Sequence, residues 1–351
     1  MDTTDIRRIR LYNQMLAGNG FKTPEEVVAY MGAMQAQAFD MAKWAIGVRL
    51  PGFTNHHIDE AINGFRIVRT HILRPTWHFV AAEDVHWMLE LSAPRLKQTY
   101  LVYGKYVGID ETYILKNFYR LEKLLEQESF LTRQEILERL IAEGLEADTH
   151  TVNRLLDFGE LDGIVGSGQV KGNKHSYCLL QRYIPKPPSI PKEEAIERLA
   201  RRFFTSHGPA TLQDFVWWSG MLISDAKKGL ELIKHDFIAE EINGRTFWMK
   251  NDIKIPEKPD PHPLLLPPFD EYVVSYKDRS EIIEDKHYSK VMTKNGLFSP
   301  TIMLNGEIVG SWKKATKNKK PEVELSFFNK ANKQTLNLFE QPTLSVKAFY
   351  D

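Results

Sequence analysis

Apolar residues recur at helical spacing in several segments of the chain and then give way to short alternating stretches, and this change of period repeats. Ile6, Ile9 and Leu16 mark a first helix. Thr23-Pro24-Glu25-Glu26 is a capping box with proline at the first helical position, and it opens a helix with Val27, Val28, Met31 and Met34 on its apolar face, predicted to stop near Gln35. Residues 55–65 read as a further short helix. Alternation at 67–71 and 76–80 then predicts two strands across a turn at Arg74-Pro75.

The same order of helices and then a hairpin recurs twice. Thr132-Arg133-Gln134-Glu135 caps a helix over 136–141 that Gly144 ends, Val152, Leu155 and Leu156 mark the next, and the glycine-rich stretch 163–177 supplies a hairpin with Gly172-Asn173-Lys174 as a basic tip. Farther on, helices are predicted over 194–204, from Thr211, and over 224–233. Asn243-Gly244, a strong two-residue turn signal, joins strands at 237–242 and 245–250. An amphipathic helix over 111–127 lies between the first two repeats as a strut. Proline clusters at 185–191 and 256–268 mark boundaries. Beyond the second, strands are predicted at 301–304, 307–312, 322–327 and 343–348.

Helices followed by a β-hairpin make a winged-helix order. The expected fold class is therefore α+β, with three tandem winged-helix modules followed by a small C-terminal β-barrel-like domain. The expected boundaries are 1–108 for the first module, 109–185 for the linking helix and second, 186–255 for the third, and 256–351 for the β-rich domain.

Composition narrows the class. A chain of 351 residues with 42% hydrophobic and 26% charged residues is globular, long enough for two or three cores. Its apolar runs fall short of the roughly 20 residues of a spanning helix, and the N-terminus carries charge where a signal peptide would be apolar, so no membrane association and a cytoplasmic, nucleoid-associated address are expected. The single cysteine, Cys178, excludes an internal disulfide and a multi-cysteine zinc site, and its place in an alternating stretch makes it structural. No metal and no cofactor are expected, because CxxC, HExxH, P-loop and GxSxG patterns are all missing.

Forty-six basic and 46 acidic side chains give a formal net charge of zero, which argues mildly against nucleic acid. Binding to DNA depends on local charge, however. Arg7, Arg8 and Arg10 share a helix, Arg66, Arg69 and Arg74 flank the first hairpin, Arg198, Arg201 and Arg202 share another helix, and residues 313–320 carry five lysines. Any one cluster by itself reads first as a solvated face. Combined with modules that present a helix to a groove and a wing to the backbone, they point to double-stranded DNA.

Gln35-Ala36-Gln37 with Asp40, Trp44 and Arg49, then Arg69-Thr70, Arg74-Pro75-Thr76-Trp77-His78-Phe79-Val80, Leu266-Pro267-Pro268-Phe269-Asp270, Asp278-Arg279-Ser280 and Gly306-Glu307-Ile308-Val309-Gly310-Ser311-Trp312 carry a resemblance that spans nearly the whole chain. The sequence resembles the winged-helix AlkZ-like DNA glycosylases. The resemblance implies a metal-free bacterial enzyme that excises alkylated purines and unhooks some interstrand crosslinks, folded as three winged helices and a β-barrel. It also implies an active-site motif of glutamine, an apolar residue, and glutamine or aspartate, which falls here on Gln35, Ala36 and Gln37 in its two-glutamine form.

Residue chemistry fits that assignment. A carboxamide is neutral and scarcely basic, so it can orient a water but cannot take its proton outright. Such a site needs a leaving group that is already good, and a purine alkylated at N7 or N3 carries a positive charge that its departure relieves. Gln37 is the expected principal water-positioning residue and Gln35 its helper; capping or backbone bonding at a helix terminus is the alternative for both. Asp40 is a secondary candidate, with an N-cap role equally natural. Arg49, Arg69, Arg74, His71, His78, Lys171 and Lys174 are the expected DNA contacts, although a histidine on a strand is often structural. Asp270 and Arg279 are expected to form an ion pair or backbone contacts, and Trp77 and Trp312 to be core residues.

The rival readings are a non-enzymatic winged-helix regulator or architectural protein, and a degenerate relative that binds protein or small molecules. A regulator usually dimerises, and no heptad or other pairing element stands out; a monomer acting on damaged DNA is the expectation.

Overall fold

The computed structural model describes residues 1–18, 20–172, 174–253, 261–317 and 320–351. The expected boundary at 255/256, Asn173 of the expected basic tip, and Asn318 and Lys319 of the lysine-rich stretch lie outside the described residues. The chain forms a mixed α/β fold in two compact units, one built from residues 59–195 and the other from 1–58 together with 196–351.

In the 59–195 unit, strands Ile67–His71 and Trp77–Ala81 pair antiparallel as the alternation predicts, from Ile67 opposite Ala81 to His71 opposite Trp77. Helix Glu111–Gln127 keeps the predicted bounds, and capping boxes at Thr132 and Asp148 start Arg133–Ala142 and Thr149–Leu161. A short sheet carries Ser176–Leu179 between Leu131–Thr132 and Val165–Ser167. The core gathers Leu96, Leu121, Leu125, Ile136, Val152, Leu155, Val165 and Tyr177. Cys178 lies buried in the central strand, and burial pushes its thiol up to about 12, which leaves it unreactive near neutral pH. The 22-residue helix Val85–Tyr106, which the sequence pattern did not mark, completes the unit around an internal Pro94.

In the other unit, helices Thr3–Asn13, Pro24–Met31 and Phe39–Gly47 precede Leu212–Ser219, Ile223–Ile233 and the hairpin Phe237–Ile242 with Arg245–Lys250. Its Asn243-Gly244 turn has both residues at positive φ, 51° and 72°, the geometry that this pair makes cheap. The C-terminal sheet is antiparallel, in the order Pro263–Leu266, Thr301–Leu304, Glu307–Lys317 and Lys320–Phe327. Its last two strands approach so closely at Gly310 that a Cβ there would stand 2.5 Å from the Ser326 carbonyl oxygen. Two indoles anchor the first strand: Trp44 donates to the Leu265 carbonyl at 2.6 Å and Trp312 to the Leu266 carbonyl at 2.8 Å. Trp312 is thus a core residue.

Residues 343–348, expected as a strand, belong instead to helix Glu340–Tyr350. The alternation Leu344, Val346, Ala348 suggested a strand, but the buried pair is Val346 and Phe349, three positions apart, while Leu344 is exposed. Pro342 falls in the first turn, where its missing N–H costs nothing.

The centre of this unit is ionic. Arg49 is buried, and all five of its N–H groups are engaged: Nε on the Gln14 carbonyl, Nη1 on the Ala45 carbonyl and Asp270 Oδ2, Nη2 on Gln14 Oε1 and Asp270 Oδ1, at 2.8–3.0 Å. Asp270 also caps helix Glu271–Val274 by accepting from the Tyr272 N–H at 2.9 Å. Breaking a buried pair strands a charge, so Arg49→Met should lower stability by about 3–5 kcal/mol in urea unfolding. Arg49→Met with Asp270→Leu should recover part of that loss, the cap remaining broken; an additive double variant would show that the two side chains do not act as a pair.

Candidate active site

Helix Pro24–Met31 ends earlier than Gln35 because Gly32 turns the chain at φ 83°. A Cβ at Gly32 would lie 3.2 Å from Arg202 Cδ and 3.4 Å from Trp218 Cη2, so the left-handed turn and the close packing both call for glycine. Ala33 to Ala36 then run through the interior, and the chain surfaces in a bend at Gln37 before helix Phe39–Gly47 begins.

The two glutamines are therefore not equivalent. Gln35 is 6% exposed and sits in the short extended stretch Met34–Gln35, whereas Gln37 is exposed. Beneath Gln35 lies a residue that the motif does not contain. Glu271, 1% exposed, accepts the Gln35 backbone N–H on Oε1 at 2.6 Å, and on Oε2 the Trp218 indole N–H at 3.0 Å and the Ser275 hydroxyl. His207 Nε2 stands 3.6 Å from the same oxygen, and complete burial holds its pKa below the ordinary histidine value despite the nearby carboxylate. An acidic residue in the otherwise apolar run Glu271-Tyr272-Val273-Val274 is the sequence signal that could have found it.

Asp40 lies in the first turn of helix Phe39–Gly47 and is not its N-cap, which is Ala38. Its carboxylate is paired with Lys314, and its carbonyl accepts the Tyr350 hydroxyl at 3.3 Å. Arg49, expected as a DNA contact, is the core cation already described, with no N–H left for a phosphate. Asp270 takes Arg49 and not Arg279 as its partner; Arg279 donates to the Val273 carbonyl at 2.6 Å and to the Tyr288 hydroxyl at 2.8 Å. Arg10 is buried as well, its guanidinium 3.6 Å from the Tyr276 ring centre, and Arg7 and Arg8 form ion pairs with Glu307 and Asp5.

In the 59–195 unit, the wing residues are mostly internal. Arg69 is buried with its guanidinium 4.4 Å from the Trp77 ring, and burial lowers its pKa to about 10. His78 is buried and its Nδ1 lies 2.9 Å from the Thr76 carbonyl oxygen, while Arg74, half-buried, reaches its Nε2 at 3.4 Å. Lys171 and Lys174 are exposed, Lys171 facing Glu135 at 3.3 Å.

His71 belongs to a buried ionic cluster. Its Nδ1 pairs with Glu160 and stands 3.6 Å from Asp157, which Arg154 also contacts. The Trp77 ring centre lies 4.4 Å from that of His71. Burial, outweighing the nearby cations, raises the Asp157 carboxyl to about 6. Among the described residues, no His, Cys, Asp and Glu side chains gather in a group that could hold a metal ion, and no helix is long and apolar enough to cross a membrane.

The profile of the AlkZ-like DNA glycosylase family matches residues 28–343, a span that contains both glutamines, Glu271 and the C-terminal sheet. The chain belongs to that family. Its fold is similar to that of the Streptomyces sahachiroi DNA glycosylase AlkZ, with a TM-score of 0.80 over 99% of this chain and 96% of that one at 18% sequence identity. Among curated proteins none matches the sequence. Family membership puts weight on the motif stretch, which the geometry resolves into a clasped, buried Gln35 and an exposed Gln37.

The Asp157 pKa makes a stability prediction. An acid whose pKa is raised from 3.8 to about 6 on folding stabilises the fold in its protonated form, fully below the unfolded value, and loses that contribution as pH rises through the folded value. Between about pH 4.5 and 7.5 the parent should therefore lose about 2 kcal/mol relative to Asp157→Asn in urea unfolding. A constant difference between the two proteins would mean that Asp157 is ionised throughout.

Proposed function

We propose that this protein is a monofunctional DNA glycosylase that hydrolyses the N-glycosidic bond of purines made cationic by alkylation at N7 or N3, interstrand crosslinks among them. The observation that carries the reading is the exposed carboxamide of Gln37 beside a clasped Gln35, in a chain of this family. Gln37 positions the attacking water, and Gln35 helps to orient it. The three segments of helices followed by a hairpin serve as winged helices on double-stranded DNA. The protein acts as a cytoplasmic monomer, without metal or cofactor.

The charge balance of the reaction supports the choice of substrate. Hydrolysis at an anomeric carbon passes through an oxocarbenium-like transition state, which catalysts usually meet with a carboxylate. The carboxylates of Asp40 and Glu271, beside the motif, are engaged: Asp40 by Lys314, and Glu271 by the Gln35 N–H, the Trp218 indole and the Ser275 hydroxyl. A neutral amide can hold a water in line but adds little driving force, so the leaving group must bring its own. A cationic purine departs neutral and does so. An unmodified purine departs as an anion and should be spared.

The test is single-turnover excision from a duplex with one N7-methylguanine, read as strand cleavage after mild alkali. The parent should cleave, and Gln37→Ala should lose about 100-fold in rate while duplex affinity stays within about twofold. Gln35→Ala should lose less. Tight duplex binding with no excision of this lesion, of bulkier adducts or of crosslinks would put a non-enzymatic DNA-binding protein in its place.

A further inference from the structure

A neutral residue that works by holding a water depends on where its own backbone is held. An error of about 1 Å in a positioned group can cost on the order of 100-fold in rate. Gln37 is exposed at a bend, so its placement comes from the chain on either side of it. On the C-terminal side, helix Phe39–Gly47 starts without a side-chain cap. On the N-terminal side, the bond from the Gln35 N–H to Glu271 grips the motif backbone.

We infer that Glu271 is a positioning residue of the glycosylase site, a buried carboxylate whose grip on the Gln35 amide sets the register of the 35–37 stretch; the inference rests on the motif reading proposed above. A carboxylate that is 1% exposed is costly unless several donors meet it. Here the Gln35 N–H, the Trp218 indole and the Ser275 hydroxyl do so, and they divide unequally. Oε1 faces the Gln35 N–H at 2.6 Å, while Oε2 takes the Trp218 indole and the Ser275 hydroxyl. A bond to an ionised carboxylate is roughly twice as strong as one between neutral groups. Trp218 also packs against the turn at Gly32, so one indole braces both the turn that ends the preceding helix and the carboxylate that clasps Gln35 three residues later. Glu271 itself is next in the chain to Asp270, the partner of Arg49, and so is tied directly to the buried ion pair.

A carboxylate serving the fold alone and one that positions the motif differ in the effect of removing them. The experiment uses the full chain labelled with 15N-glutamine and tracks two readouts: the Gln35 amide resonance, and single-turnover excision of N7-methylguanine with duplex affinity measured alongside. Glu271→Ala should move the Gln35 amide upfield and speed its hydrogen exchange, and should lower excision about 10- to 100-fold with duplex affinity within about twofold. Glu271→Gln, with one carbonyl oxygen to share among the donors, should fall between that variant and the parent on both readouts. Ser275→Ala, which removes one donor to Oε2, should give the smallest change.

Should Glu271→Ala fail to fold, the other two variants carry the test, because amide shift and rate must fall together in the same order. A parent-like rate in Glu271→Ala, or a lost rate with the Gln35 amide unmoved, overturns the positioning role while leaving Gln37 in place. An inactive parent, or full activity in Gln37→Ala, overturns the glycosylase reading and this role with it.

Discussion

The buried pair of Arg49 and Asp270 is the constraint on which the larger unit depends. Its net contribution to stability is small, because desolvating two charges offsets most of their attraction. Its value lies in specificity. Each of the five guanidinium N–H groups has one acceptor, and those acceptors come from the end of the first helix, the end of helix Phe39–Gly47 and the cap of helix Glu271–Val274. Few arrangements of these three segments satisfy all five donors, and any other leaves a buried charge short of partners.

From that pair a line of polar contacts leads to the motif. Gln14, which accepts from Arg49, donates to the Tyr276 hydroxyl at 2.9 Å, and that hydroxyl donates to the His207 carbonyl at 2.7 Å. The His207 ring faces Glu271, and Glu271 holds Gln35. The chain of contacts thus reaches the motif at the buried Gln35, two residues before Gln37 emerges at the surface. For the carboxamide role proposed for Gln37, that division supplies a fixed backbone behind an exposed side chain.

Much of this architecture is legible in the sequence because it is written locally. Capping boxes, proline at a helix start and Asn-Gly turns act within four residues, and the helices and hairpins they predict are found at Pro24–Met31, Arg133–Ala142 and Phe237–Lys250. What failed was whatever depends on distant partners. The alternation at 343–348 pointed to a strand, but the surface it meets selects a helix. Helix Val85–Tyr106 is buried along much of its length and carries a proline, so its periodicity is weak. The motif itself is plain in the sequence, whereas Glu271 lies 236 residues away and becomes its neighbour only through the fold.

Charge shows the same limit with a functional consequence. Arginine clusters in the sequence suggested a basic surface, yet Arg10, Arg49 and Arg69 are buried, and Arg7, Arg8 and Arg201 pair with acids. An internal or paired arginine releases few counterions from DNA. On the duplex DNA proposed as substrate, phosphate contact passes to exposed lysines such as Lys174 and Lys313, and the salt dependence of binding should be shallow, each neutralised phosphate adding about 0.9 to the slope of log affinity against log salt. A zero net charge is then no obstacle. A glycosylase must leave undamaged duplex readily, and a surface with little excess charge favours that release while the excision site supplies the discrimination.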